Sequence, residues 1–476
     1  MDELCSLSAE EALARFRDRS LSPVELTEAV IARAEATEPV VNALTYTYFE
    51  EALDAAKAAE KRYTGRDGSP RALEGLCVAV KDSGHIAGWP TSAGSLLSEE
   101  SPQETTSPIN QRVLDAGAIV HARSATPEFS CAAVTHSRRW GANRNPWALD
   151  YAPGGSSGGA AAALAIGSAT LATGSDIAGS IRIPASCCGV VGYKPPRGRN
   201  PVDAPFNLDV YCHTGPLART VGDAQLFQNA LSGPHPEDPV TQRPKLDIET
   251  DLRGVAGLRI GWSMDLGFFE IDRAVAASTH EALDVLRALG AELVEIRPPW
   301  GWEVVDAALT HLRSNFGTSI APKSREETDL MTPYARAFAE AGRRITPEQV
   351  QHSIRTTRRM ATWFSHRMEE LDVFVCPTTA IPSLPVAFDQ SQDQIEINGV
   401  LVDPMIGWVL TTPFNMLSTH PVLAVPSGVS ASGLPIGLQF VGKSFQDQDV
   451  FRAGLAFEAA RGPWPTPCDL AKGIRR

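Results

Sequence analysis

The chain has 476 residues, 43% hydrophobic and 21% charged, with a formal net charge of −13 at pH 7. That composition excludes a disordered chain and describes a protein with a large buried core. The acidic balance repels phosphate backbones and no basic patch offsets it, so a small neutral molecule is the expected partner and nucleic acid is not.

The first residues, "MDELCSLSAEE", carry acids where a secretory signal needs a basic end and an apolar core, and no run of about 18 apolar residues occurs later. A cytoplasmic protein with no membrane partner is expected. "SAEEALARFRD" sets Ser8 three residues before Glu11, and "SPVELTEAVIARAEA" repeats the device with Ser22, Pro23 and Glu25. Both spacings predict capped helix starts. Leu26, Val30, Ile31 and Ala34 then share a helical face, and residues 1–65 read as a helical part.

From "LEGLCVAVKDSG" onward the pattern changes. Short apolar runs such as "GAIVHAR" and "DVFVCP" alternate with helical stretches such as "DRAVAASTHEALDVLRALG", which predicts a mixed or parallel sheet covered by helices. "PVLAVPSGVSASGLPIGLQFVG" reads as two strands joined by a Gly/Ser turn that complete the same sheet. No linker, charge block or repeat cuts the chain, so one large domain is expected. Eight cysteines, at 5, 77, 131, 187, 188, 212, 376 and 468, show no metal spacing and are expected as free thiols. The adjacent Cys187 and Cys188 are expected to pack beside a turn, not to act as nucleophiles.

Ala152–Pro184, "APGGSSGGAAAALAIGSATLATGSDIAGSIRIP", concentrates seven glycines and five serines. A phosphate loop should follow a strand and carry a lysine, and neither is present. A nucleophile elbow fits the letters GxSxG around Ser156 or Ser157, but it lacks the preceding strand and a distinctive downstream histidine. A third reading joins two loops: Ser180 lies 24 residues beyond Ser156, in a second glycine-bounded loop reached through a helix and a short strand, "ATLAT". Gly174 and Gly179 allow sharp turns that aim successive amides at one point, as an oxyanion hole requires. Such a site needs a base. Lys81 ends the apolar run Val78, Ala79, Val80, and burial there would lower its pKa toward neutrality. The bland alternative is a solvated strand end.

With these residues in view, the chain resembles the amidase signature family. The likeness runs through "GLCVAVKD", "NPWALDYAPGGSSGG", "GSDIAGSIRIPASCCGVVGYKPPRGR", "GPLARTVGDA", "VCPTTAIP" and "PFNMLSTHPVLAVPSGVSASGLPIGLQFVG". It implies a Ser-cisSer-Lys triad of Lys81 as base, Ser156 as bridge and Ser180 as nucleophile. It also implies an oxyanion hole from the backbone amides of Ile177, Ala178, Gly179 and Ser180, with Asp176 and Arg182 bracing their loop. Ser157 would help orient the relay or cap the helix behind it.

The implied fold is a single α/β domain, its large mixed sheet covered by helices on both faces, with a catalytic core that carries signature motifs at 70–230. The implied activity is hydrolysis of a small amide through an acyl-enzyme, with carbamate (urethanase) or ester cleavage as side activities and no metal or cofactor. A homodimer stays open. The glutamine-dependent subunit that amidates charged transfer RNA belongs to the same family, and the acidic balance disfavours it. Two departures stand out: Ala160 where serine is frequent, and Ala178 where glycine is frequent. The Ala178 methyl is expected to narrow the pocket or tilt a donor. Residues 298–370 lack the motifs, and the region 298–408 is expected to shape the substrate pocket, through Trp300, Trp302, Phe316, Met331, Tyr334, Phe338 and Trp363 and a cover at Phe388–Trp408.

Overall fold

The computed structural model describes residues 2–251 and 253–467. The two capping boxes form as the sequence predicts. Ser8 and Glu11 exchange backbone-to-side-chain bonds at the start of the helix Ala9–Asp18, and Ser22 and Glu25 do the same before Pro23–Val41. Leu26, Val30, Ile31 and Ala34 are all buried. The amino-terminal part is not wholly helical, because Leu44–Thr47 forms an edge strand between two of its helices.

Eleven strands make one mixed sheet. Across it they run Leu44–Thr47, Ile119–Ser124, Cys77–Lys81, Leu171–Asp176, His213–Ala218, Val191–Lys194, Val422–Val429, Pro435–Gly442, Val373–Pro377, Arg259–Trp262 and Glu292–Glu295. Cys77–Lys81 is parallel to both its neighbours, whereas the two strands of the carboxyl-terminal hairpin pair antiparallel.

Side chains alternate across the sheet, and the two faces are built differently. Val78, Val80, Leu423, Val425 and Phe440 pack with the helices Val221–Leu231, Arg273–Ala288 and Asp447–Arg461. Ala79, Ala122 and Ala172 face the helix Gly158–Ile166, whose every residue is buried. Small residues on both sides let this helix approach the sheet closely. The loops that begin and follow it are therefore held against the strand ends. The single α/β domain covered on both faces is as expected. No helix among the described residues is long and apolar enough to cross a membrane. The cysteines at 77, 131, 187, 188, 212 and 376 are free thiols, while Cys468 lies outside the described residues.

Candidate active site

Lys81 and Ser175 stand at the carboxyl ends of adjacent parallel strands, the usual place for a ligand site in an α/β sheet. The lysine is not a solvated end. It is 4% exposed, and its Nζ lies 2.7 Å from Ser156 Oγ and 2.8 Å from Ser175 Oγ. Burial lowers its pKa to about 7, against weaker opposing effects from Cys212 and Asp176. Its backbone N–H donates to Thr173 Oγ1 at 3.2 Å.

Ser156 follows a cis Gly155–Ser156 peptide bond, the feature the resemblance implies. Gly155 has to be glycine, since a Cβ there would meet the backbone nitrogen of Val134 at 2.7 Å. No strand precedes Ser156 directly, so the elbow's strand-to-helix turn is not built. Ser157 sits at the N-cap of Gly158–Ile166 but makes no side-chain cap bond. Its N–H donates to the Ser180 carbonyl at 3.1 Å, which ties the two serine loops together.

The second loop is fixed by a buried ion pair. Arg182 approaches Asp176 with Nε 2.9 Å from Oδ2 and Nη2 3.0 Å from Oδ1. Asn415 Nδ2 adds a bond to Oδ1 at 2.8 Å, and Arg182 also reaches the Asn415 Oδ1, the Gln439 Oε1 and the Thr411 carbonyl. Burial alone would raise the Asp176 pKa, but the Arg182 charge and these bonds hold it well below the usual carboxylate range. Asp176 and Arg182 thus brace the loop, and Thr411, Asn415 and Gln439, which sequence reading passed over, complete the brace.

Within the loop, the four amides expected to act together are not equivalent. Gly179 donates its N–H to Asp176 Oδ1 at 2.8 Å, so this amide is already engaged. The amides of Ile177, Ala178 and Ser180 make no hydrogen bond among the described residues. Gly179 has φ +120°, and a Cβ there would lie 2.0 Å from Thr411 Oγ1, so no other residue fits. Thr411 and Thr412 both donate to the Ala178 carbonyl, at 2.7 and 3.1 Å. The Ser180 hydroxyl makes no hydrogen bond among the described residues and the residue is 7% exposed.

Lys81, Ser156 and Ser175 line a cavity of about 760 Å³ whose other walls are largely apolar, including Leu96, Leu97, Ile109, Phe129, Phe206 and Phe316. Ser180 and Ala178 line a separate void of about 30 Å³, which shares Ser130, Ile177 and Phe316 with the cavity. The segment 298–370 does supply cavity wall, through Phe316, residues 319–323, Glu327 and Leu330, but most of the large side chains expected there are core. Of the seven residues named from 298–370, Phe316 alone lines the cavity and Phe338 lines the void, while Trp300, Met331 and Tyr334 are buried elsewhere. Of Phe388–Trp408, Met405 and Ile406 reach the void. Sequence reading also missed the loops at 83–97 and 202–214. Ser175 carried a signal, since strand alternation places it on the same face as Thr173. Cys187 and Cys188 are buried with thiol pKa values raised by burial, consistent with packing.

Known proteins resemble the chain over nearly its whole length. The amidase family model matches residues 25–451. An acylamidase of Rhodococcus erythropolis is 32% identical over 468 residues, covering 96% of each chain. A glutamyl-tRNA(Gln) amidotransferase subunit of Anaeromyxobacter sp. (strain K) is 34% identical over 498 residues, covering 98% of each. The crystal structure of a bacterial aryl acylamidase of the amidase signature family superposes with a TM-score of 0.91 at 29% identity, covering 98% of both chains.

Proposed function

Because the chain belongs to the amidase family, whose members act on amide C–N bonds, we propose that it hydrolyses a small apolar carboxamide through an acyl-enzyme on Ser180. The observation that carries this reading is the buried Lys81 amine, 2.7 Å from the Ser156 hydroxyl in the wall of an apolar cavity. A lysine with a pKa of about 7 is half neutral at physiological pH and accepts a proton. No histidine lines that cavity among the described residues.

An amide needs an activated nucleophile and a protonated leaving group. Lys81 draws the Ser180 proton through Ser156, the Ser180 Oγ–carbon bond forms, and the oxyanion is held by the free amides of Ile177, Ala178 and Ser180. Gly179 serves differently, by locking its peptide to Asp176. The relay returns the proton to the nitrogen, the C–N bond breaks and the amine leaves. Water then attacks the acyl-enzyme, releasing the acid and restoring the Ser180 hydroxyl. Carbamates and esters present the same carbonyl and are expected as side substrates.

The amidotransferase relative motivates a second reading, ammonia release from glutamine within a complex. Most of the lining is apolar, which favours the first, while Asp203, Lys323 and Glu327 are the charged groups that a glutamine would have to reach. A serine-directed fluorophosphonate tests the nucleophile: its mass is expected on Ser180 and absent from Ser180→Ala. Mass on Ser156 or Ser157 would refute the assignment. Glutaminase activity exceeding that on apolar amides would favour the transferase reading.

A further inference from the structure

The site has two compartments of very different size, and the proton relay decides which part of the substrate enters each. A carbonyl carbon attacked by Ser180 has three other groups to place: the oxygen, the leaving nitrogen and the acyl chain. The oxygen belongs at the free amides. The nitrogen must receive its proton from Ser156, and Ser156 and Lys81 line the cavity of about 760 Å³. The nitrogen and its substituent therefore face that cavity. What remains for the acyl chain is the side of Ser180 away from the relay.

Ser180 itself lines the void of about 30 Å³, together with Gly155, Ala178, Ile183, Leu312, Phe338 and Met405, and we take that void for the acyl side. It has the room of one water molecule or a methyl-sized group. Its walls are apolar, so a short hydrocarbon fits and a charged group does not. Ala178 is part of the restriction, since its methyl forms wall where glycine would leave space.

We infer that the protein selects short acyl groups, of acetyl or propionyl size, on bulky apolar amines, with the acyl chain in the void and the amine in the large cavity. This rests on the Ser180 acyl-enzyme reading. The test uses two series that hold leaving-group chemistry constant: N-benzylamides of acids from acetic to decanoic, and acetamides of methylamine, benzylamine and naphthylmethylamine.

Over the first series kcat/KM is expected to fall about tenfold or more between propionyl and hexanoyl, the scale at which a pocket rejects added methylenes. Over the second it is expected to rise with the size of the amine. Ala178→Gly and Met405→Ala, which widen the void, are expected to move the acyl optimum toward longer chains and leave the order of the amine series unchanged. Turnover that rises with acyl length, or widened variants with an unchanged acyl profile, would overturn the assignment while the hydrolase reading stands. A folded protein that neither turns over these amides nor takes the label on Ser180 would overturn both.

Discussion

Two strands of the sheet end in an enclosed lysine, Cys77–Lys81 and Val191–Lys194, and burial lowers the pKa of both. Lys194 is 0% exposed, and its Nζ donates to the carbonyls of His420 at 2.9 Å and Pro195 at 3.3 Å. Its charged neighbours are Arg182, Asp176 and Asp447. Lys81 meets two hydroxyls instead, and lies in a cavity wall. A carbonyl only accepts, so a lysine between two carbonyls can only donate. A hydroxyl also donates, so Ser156 can hand a proton to the neutral amine. Burial makes both amines easier to deprotonate, but the chemistry of the partners and access to a cavity leave one of them available as a base.

Removing the base should have the largest effect. Lys81→Met is expected to lower kcat/KM by about 10³-fold, within the usual range for a positioned base, with the fold retained. Stability should move the other way. The folded-state pKa is about 7 against an ordinary 10.5, so between these values the unfolded chain binds more protons and wild-type stability rises with pH. The methionine variant lacks that slope, so its Tm advantage should be greatest below pH 7 and shrink toward pH 10.5. Melting curves at several pH values, beside kinetics, check both halves. Retained activity would end the contrast between the two lysines.

The same substitution at the other strand end should be felt in folding. Lys194→Met leaves the buried Pro195 and His420 carbonyls without their donor, which costs about 2 kcal/mol. Relief of the buried amine offsets part of this. A lower denaturation midpoint with an unchanged pH midpoint of kcat/KM is expected. A shift of that pH midpoint would mean that Lys194 is coupled to the site after all.

How much of this was legible in the sequence differs between the two lysines and the cavity. "CVAVKD" and "VVGYKPP" both read as apolar strands closed by lysine, and nothing local separates them. The partners that do are brought in from Ser156, 75 residues away, and His420, 226 residues away. Family resemblance pointed to Lys81; spacing alone left it a strand end. The capping boxes and the carboxyl-terminal hairpin were legible because their signals are local. The cavity wall was legible only as a segment, since 298–370 supplies Phe316, residues 319–323, Glu327 and Leu330 but not through most of the residues expected. Tyr334 looked like pocket lining, but its hydroxyl accepts from the Glu128 N–H and donates to the His136 carbonyl, both at 2.7 Å. An aromatic residue announces burial without saying whether it faces a core or a cavity.

The smallest effect expected is at Ser175, and it separates holding the base from being it. Its hydroxyl is the second partner of Lys81 Nζ, at 2.8 Å, and while Ser156 donates to the neutral amine, Ser175 accepts one of the amine's N–H groups. Ser175→Ala removes this restraint, and the amine then points less often at Ser156. A fall in kcat of about tenfold is expected, because the base survives and only its orientation suffers. The pH profile should also move in a defined direction. An acceptor beside Nζ favours the ammonium more than the neutral amine, so its loss lowers the lysine pKa further, and the rising limb of activity should shift to lower pH. Ser175→Thr keeps the acceptor and should restore both the rate and the midpoint. A merely structural serine would change stability without moving the midpoint, and a midpoint moving to higher pH would show that Ser175 donates to the amine instead of accepting from it.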